Sequence, residues 1–389
     1  MTPPLRILSI ATLFPDAARP NFGLFVERSL RALAAGPGIE LTVAAPVGLP
    51  PWPLSLHPRY TALRGLPRRE SWHGLTVHRP RFALLPRYGA RFNPAAVARA
   101  VLPIARAVRP HVIDAQFFYP DGPAAMRVAQ ALGLPFSAKA RGADISHFGY
   151  DPASRPQLLE AARHAAGLLA VSDSMRADMA AIGIDAGKVR VHYTGIDAER
   201  FHPGDRAAAR AAFAMGAAPA ILTVGALIPR KGQKLVIAAL PALPGVHYWL
   251  AGAGAEEAAY RALAARLGVA DRVHLLGPVA NAELPQLYRA ADIVVMPSKS
   301  EGLANAWVEA LACGTPIVIS DAGGAAELVT SPVAGRIVPR TPEAIARGVQ
   351  DILAAPPAPA DVAASLDGRF DWARNGRELA DHLRRCAGH

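Results

Sequence analysis

Cysteine is nearly absent: Cys313 and Cys386 are the only two among 389 residues. Two thiols cannot build a disulfide framework, and nothing around them has metal-ligand spacing, so a reducing cytoplasm is the expected setting. Charged residues are scarce at 19% and apolar ones make up 51%, which excludes a disordered chain. Long apolar runs are also missing. The opening LRILSIATLF lacks the small-residue cleavage site of a signal peptide and reads as a first strand. No charge falls between Arg210 and Arg230, a stretch nearly long enough to span a bilayer. Gly216, Pro219 and Gly225 break it, however, and its second half, AILTVGAL, has strand character. No nucleic-acid-binding module is recognisable, so nucleic acid is not an expected partner.

What is present in excess is arginine. The formal charge is +11, and residues 1–110 hold about 15 Arg/Lys against about 4 Asp/Glu. Much of this lies in RRESWHGLTVHRPRFALLPRYGARF, where basic residues alternate with Trp72, Phe82, Tyr88 and Phe92. Such a surface could dock on anionic lipid headgroups. A solvated loop face in an Arg-rich protein would look the same.

The length suits two domains of roughly 150–200 residues. Strand and helix patterns alternate, which implies parallel sheets with helices on both faces. LRILSIATL, IELTVAAP, HVIDAQ, PFSAKARG, GLLAVSD and KVRVHYTG read as strands of a first sheet, interrupted by a Pro- and Arg-rich insertion over residues 46–92. GIDAERFHPGDR reads as a linker. In the second half AILTVGA, VHYWLAGAG, RVHLLGP, ADIVVMPS and TPIVISD recur every 20–27 residues or so, as successive βα units do. Gly225, Gly252 and Gly277 stand at strand carboxyl ends, the edge where open α/β sheets bind ligands. RFDWARNGRELADHLRRC reads as an amphipathic helix with Trp372, Leu379 and Leu383 on one face.

The block MPSKSEGLANAWVEALACGTPIVISDAGGAAELV carries the chemistry. A strand ends near Met296 and a helix is expected to begin near Leu303, which puts Glu301 just before its N-terminus and Glu309 about two turns along. Carboxylates accept bonds from pairs of sugar hydroxyls, while free amides and the helix dipole favour phosphate. Spacing alone leans to a plainer account, with Glu301 offsetting the helix dipole and Glu309 a surface charge.

This block resembles the E-x7-E signature of the retaining glycosyltransferase family 4, the group 1 glycosyl transferases, carried here as Glu301 and Glu309. PNFGLFVERSLRAL, ARGADI, AVSDSMRADM, VRVHYTGIDAERFHP, VGALIPRKG and LPQLYRAADIVVMPS match family segments in the same order. The resemblance implies a GT-B fold, with two Rossmann-like doubly wound α/β domains facing a central cleft. An acceptor-binding domain would span residues 1–198 and a nucleotide-sugar-binding domain residues 199–370. A helix over 371–389 would pack back on the first domain.

By the same resemblance, Glu309 binds the donor ribose, and Glu301, Gly302, Leu303 and Asn305 hold the sugar. Lys231 and Arg230 neutralise the diphosphate, Gly225 and Gly277 line the donor, and Gly23 approaches the diphosphate from the first domain. Asp144, Arg141 and Gln116 lie on the acceptor side, with Asp144 orienting or deprotonating the incoming hydroxyl. The donor would be a UDP- or GDP-linked sugar with no other cofactor and no metal. The acceptor would be a saccharide or polyprenyl-linked saccharide of a cell-surface polysaccharide, reached in the cytoplasm or on the inner face of the membrane.

Two positions depart from the family pattern. Gln116 stands where a histidine is common, and Ala226 where an arginine is common. Gln116 cannot take a proton but can still hydrogen-bond a hydroxyl or phosphate. No carboxylate pair can be placed beneath the anomeric carbon, so front-face attack is expected, with the leaving diphosphate taking the proton. A non-catalytic nucleotide-sugar-binding protein and a GT-B sugar-nucleotide epimerase are the alternatives.

Overall fold

A computed structural model describes residues 3–85 and 89–388, and the aromatic expected at Tyr88 lies outside the described residues. The chain divides into two compact units. One comprises Met1–Gly195 with Trp372–His389, the other Ile196–Asp371.

The first unit holds β1 (Leu5–Ile10), β2 (Ile39–Ala44), β3 (Val47–Leu49), β4 (Arg69–Trp72), β5 (Leu75–His78), β6 (Arg81–Ala83), β7 (Val112–Ala115), β8 (Phe136–Ala140), β9 (Gly167–Ala170) and β10 (Val189–Val191). Eight of these form a sheet in the order β10-β9-β8-β7-β1-β2-β5-β4, parallel except for the β4–β5 hairpin, while β3 and β6 pair separately. The strands alternate faces as the two-residue period requires. Leu8, Ile10, Ile113 and Ala115 pack under the helices Gly89–Val108, Asp121–Leu132 and Arg155–His164. Leu5, Ile7 and Val112 face the helices Leu24–Ala34 and Trp372–Ala387. Those two helices approach closely because Gly376 lacks a side chain: a Cβ there would come within 2.4 Å of the Ala32 carbonyl. Leu379 and Leu383 are buried in this contact, whereas Trp372 is half-buried against Gly195.

Two features differ from the sequence expectation. The insertion adds the β4–β5 hairpin to the first sheet: Trp72-His73-Gly74-Leu75 closes it through residues at φ 46° and 84°, the left-handed pair that a two-residue turn demands. The twenty-residue helix Gly89–Val108 was not anticipated. Pro94 and Pro103 lie inside it and mask its helical pattern.

The second unit carries β11 (Ala220–Val224), β12 (His247–Ala251), β13 (Val273–Gly277), β14 (Ile293–Met296), β15 (Ile317–Ile319) and β16 (Gly335–Ile337). All pair in parallel, in the order β13-β12-β11-β14-β15-β16. The chain winds outward from β11 one way and from β14 the other. The carboxyl ends of β11 and β14 therefore border a crevice in which neither connecting loop crosses the other. In the first unit the corresponding reversal lies between β1 and β7.

Candidate functional site

In the second unit Gly225, Arg230, Lys231 and Glu301, four of the expected residues, meet at that crevice. After β11 the chain turns at Gly225 (φ 152°) and enters a short turn, Pro229–Lys231, which ends at Gly232 (φ 78°). A side chain at Gly232 would come within 2.3 Å of the Pro297 carbonyl, so glycine lets this turn lie directly against the loop that follows β14. The Lys299 amide donates to the Arg230 carbonyl at 2.7 Å and locks the two loops together. Lys231 Nζ then reaches Glu301 Oε1 at 2.7 Å, and Arg230 Nη1 lies 3.3 Å from the same oxygen and also donates to the Ser300 carbonyl. The Lys231 and Glu301 side chains are 15% and 10% exposed and the Arg230 side chain 43%. Burial makes the pair stronger than a surface bridge, and the more open Arg230 remains within reach of solvent.

Glu301 and Gly302 are held from behind. Gly323 packs so tightly that a Cβ would meet the Glu301 and Gly302 carbonyls at 2.3 and 2.4 Å, and the Gly324 amide donates to Gly302 at 2.8 Å. The helix that follows is Asn305–Ala312. It starts two residues later than expected, so Glu301 stands four residues before it and Glu309 lies little more than one turn along it. Glu309 is not a plain surface charge. It is half-buried, and its Oε2 accepts a 2.9 Å bond from the hydroxyl of Tyr288, which is fully buried. Burial, reinforced by the Glu309 carboxylate, holds the Tyr288 phenol well above its ordinary range, so it stays a donor. Sequence reasoning missed Tyr288 because it sits on another helix, 21 residues away. Gly302 is buried, Leu303 half-buried and Asn305 exposed at the helix start. Gly277 turns at φ 69° into open space, and Ala226 is exposed.

In the first unit the expected acceptor-side residues also meet, with Asp144 and Gln116 inside the protein and Arg141 half-buried. Asp144 is fully buried, and both its oxygens accept from backbone amides: Phe118 (2.9 Å), Arg141 (3.0 Å) and Gly142 (2.7 Å). Burial raises its pKa while those amides pull it back. Fully buried and held by three amides, this carboxylate offers no exposed oxygen to an incoming hydroxyl, so its expected part as proton acceptor gives way to a positioning one. Gln116 is likewise buried. Its amide donates to Asp114, and its side-chain oxygen accepts from Arg141 Nη2 at 2.6 Å. The hydrogen bond to substrate expected of Gln116 is therefore replaced by an internal one. Arg141 Nε donates to the Gln116 carbonyl at 2.6 Å, and its guanidinium lies 5.1 Å from the Phe25 ring centre. Burial lowers its pKa to about 10, so it stays charged at neutral pH. Gly23 starts the Leu24–Ala34 helix at φ 70°, and a Cβ there would strike the Leu13 carbonyl at 2.5 Å. Its own loop accounts for the glycine.

Sequence gave no signal for Asp121, which begins the Asp121–Leu132 helix and lies fully buried. Its Oδ2 accepts from the Thr12 amide at 3.1 Å, while Oδ1 has no partner. Burial lifts this carboxyl to about pH 7, with the nearby Asp144 and Asp114 adding to the rise.

Two doubly wound units, each with charged residues at a strand-order reversal, define a GT-B protein. Two family models match in tandem, Glycosyltransferase Family 4 over residues 24–200 and Glycosyl transferases group 1 over residues 206–366, and the chain belongs to these group 1, family 4 glycosyltransferases. It is 38% identical over 214 residues to D-inositol 3-phosphate glycosyltransferase of Mycolicibacterium gilvum, a match covering 51% of this chain and 48% of that protein. The chain thus spans about half the length of the curated relatives it matches. Among solved structures, sucrose-phosphate synthase from Thermosynechococcus elongatus superposes with a TM-score of 0.80 at 20% identity, over 98% of both chains. Anabaena HepE, solved in complex with UDP, superposes at 0.76 and 22% identity, over 97% of this chain and 99% of that one. These likenesses show the fold.

Proposed function

We propose that the protein transfers a hexose-type sugar from a UDP- or GDP-linked donor to a saccharide or lipid-linked saccharide, with retention of anomeric configuration. The observation that carries this reading is the meeting of Lys231, Arg230 and Glu301 in the crevice between β11 and β14. Departure of a nucleoside diphosphate builds negative charge where two cations are already fixed, and such pre-placed charge contributes about 3 kcal/mol to lowering a barrier. Glu301 keeps the two cations together, and sugar hydroxyls suit its carboxylate once phosphate engages them. Glu309, oriented by Tyr288, suits a vicinal diol such as a ribose. HepE, of the same fold, has also been solved with UDP-glucose, which supports a nucleotide-sugar donor.

With Lys231 and Arg230 neutralising the diphosphate, transfer needs no metal and should survive a chelator. With Asp144 and Gln116 both engaged internally, no side chain of that cluster is placed to take the acceptor's proton. This favours front-face attack, in which the leaving diphosphate oxygen receives it. We place the reaction in the cytoplasm, in cell-surface polysaccharide synthesis.

A panel of labelled UDP- and GDP-sugars tests the reading. Release or transfer from at least one donor, with the α or β linkage of the product read by NMR, is the expected result. Tight binding with no turnover on any acceptor would favour the non-catalytic reading, to which the internal hydrogen bonding of Gln116 lends some weight.

A further inference from the structure

The basic, aromatic stretch expected at residues 68–92 is split: Arg68, Arg69, Arg91 and Phe92 are exposed, whereas its middle turns inward. Arg79 is fully buried, bonded to Glu70 and to the Pro15 carbonyl, and its guanidinium lies 5.6 Å from the Trp72 ring centre. Arg81 is half-buried and donates to the Arg79 and Leu66 carbonyls, while Phe82 packs against the core. A denser set of exposed apolar residues lies just before it. Trp52 is 78% exposed, Leu54 53% and Leu56 58%, all within five residues leading into and through a single helical turn, Leu54–Leu56. The helix Pro58–Arg64 follows and is anchored through Leu63 and Leu66, which cluster with Val47.

Charge around this turn has one sign. From Leu41 to Arg69 there is no Asp or Glu, while Arg59, Arg64, Arg68 and Arg69 all occur. Arg64, Arg68 and Arg69 are exposed, and the next carboxylate, Glu70, is taken up by Arg79.

We propose that residues 50–69 form a docking surface for an anionic lipid bilayer, with Trp52, Leu54 and Leu56 entering the headgroup region and Arg64, Arg68 and Arg69 meeting lipid phosphates. A tryptophan and two leucines presented on a turn are what an interfacial anchor needs. Each arginine near an anionic leaflet adds about 1 kcal/mol. A second copy is a poor occupant, because a self-complementary contact would set these arginines against their own images with no carboxylate between them. No described helix is long and apolar enough to cross a membrane. The surface is independent of the sugar-transfer reading, and its readout is binding.

The test is sedimentation of the full chain with phosphatidylcholine vesicles, with or without phosphatidylglycerol at roughly a third of the lipid. The protein should pellet only with the anionic vesicles, and less as salt shortens the Debye length below about 10 Å. The triple variant W52S/L54S/L56S should bind at least about tenfold more weakly. R64S/R68S/R69S should lose most of the salt dependence while melting like the wild type. Failure to pellet at low salt, equal binding to neutral vesicles, or undiminished binding of W52S/L54S/L56S would each overturn the proposal. So would a loss of binding explained by a lowered melting temperature in both variants.

Discussion

At the strand-order reversal of the second unit, Lys231, Arg230 and Glu301 are partly open and bonded chiefly to one another. At the corresponding place in the first unit, Asp114, Gln116 and Asp144 are wholly buried, and they and Arg141 are bonded to backbone and to each other. The sheets wind alike, yet one gathers charge that a ligand can take over, and the other gathers charge that braces loops. The second pattern resists exchange: Asp144 would have to release three amides before it could accept a new donor, each orphaned amide costing about 1–3 kcal/mol. Lys231 and Glu301 need only swap partners.

This contrast is broken most sharply by Lys231→Ala. Removing a cation that faces developing charge should slow transfer by about 100- to 1,000-fold, with the donor's Kd changed much less. Single-turnover rates with a saturating donor measure it. A wild-type rate would remove Lys231 from the chemistry and, with it, the crevice as the reaction centre.

Asp144→Ala tests the other side. The Phe118, Arg141 and Gly142 amides lose their acceptor, and a net loss of about 3 kcal/mol is expected, seen as a fall of roughly 5–10 °C in Tm. Asp144→Asn should not rescue it, because its amide group would point a donor at donors. Transfer by the folded fraction should persist. Lost transfer at an unchanged Tm would return Asp144 to the role of proton acceptor.

Glu309→Ala should weaken donor binding by about 10- to 100-fold, since a charged hydrogen-bonding partner contributes about 1.5–3 kcal/mol. Glu309→Gln keeps an acceptor for Tyr288 and should fall between. Equilibrium dialysis with UDP and GDP separates the two, and an unchanged Kd in both variants would leave Glu309 a structural residue.

How far each unit could be read in advance follows from the same contrast. Gly225, Gly232, Lys231 and Glu301 belong to loops whose chemistry is local: a strand ends, a glycine turns the chain, a charge follows. Their convergence was implied by the resemblance to family 4, since spacing alone leaned to a plainer account of Glu301. The roles of Gln116 and Asp144 depend on complete burial, which leaves no periodic trace. Asp121 gave no warning because an acidic residue at a helix start is ordinarily a solvent-exposed dipole partner. The helix Gly89–Val108 was hidden by its two prolines, and the basic stretch is only partly a surface because Arg79 and Arg81 turn inward to serve carbonyls and Glu70 while Arg68, Arg69 and Arg91 stay exposed.

The smallest expected effect is the most selective for the first unit. Asp121 has its carboxyl raised to about 7 by burial, against 3.8 for the unfolded chain. A raised carboxyl contributes stability at low pH that is lost as pH climbs through that window, because the unfolded chain gives up its proton first. Most of the loss falls below pH 6, and the remainder, about 1 kcal/mol, between pH 6 and 8. Asp121→Asn removes this dependence while keeping an oxygen for the Thr12 amide. His192 and His382, whose pKa values burial lowers, act in the opposite sense by losing stability as pH falls, and Asp114 and Asp144 share the sense of Asp121. The informative quantity is therefore the difference between the wild type and Asp121→Asn. Urea midpoints at pH 6 and pH 8 should show the variant gaining on the wild type as pH rises. Parallel curves would mean that Asp121 titrates as an ordinary carboxylate, and that burial at this reversal does not keep a proton on it near neutral pH.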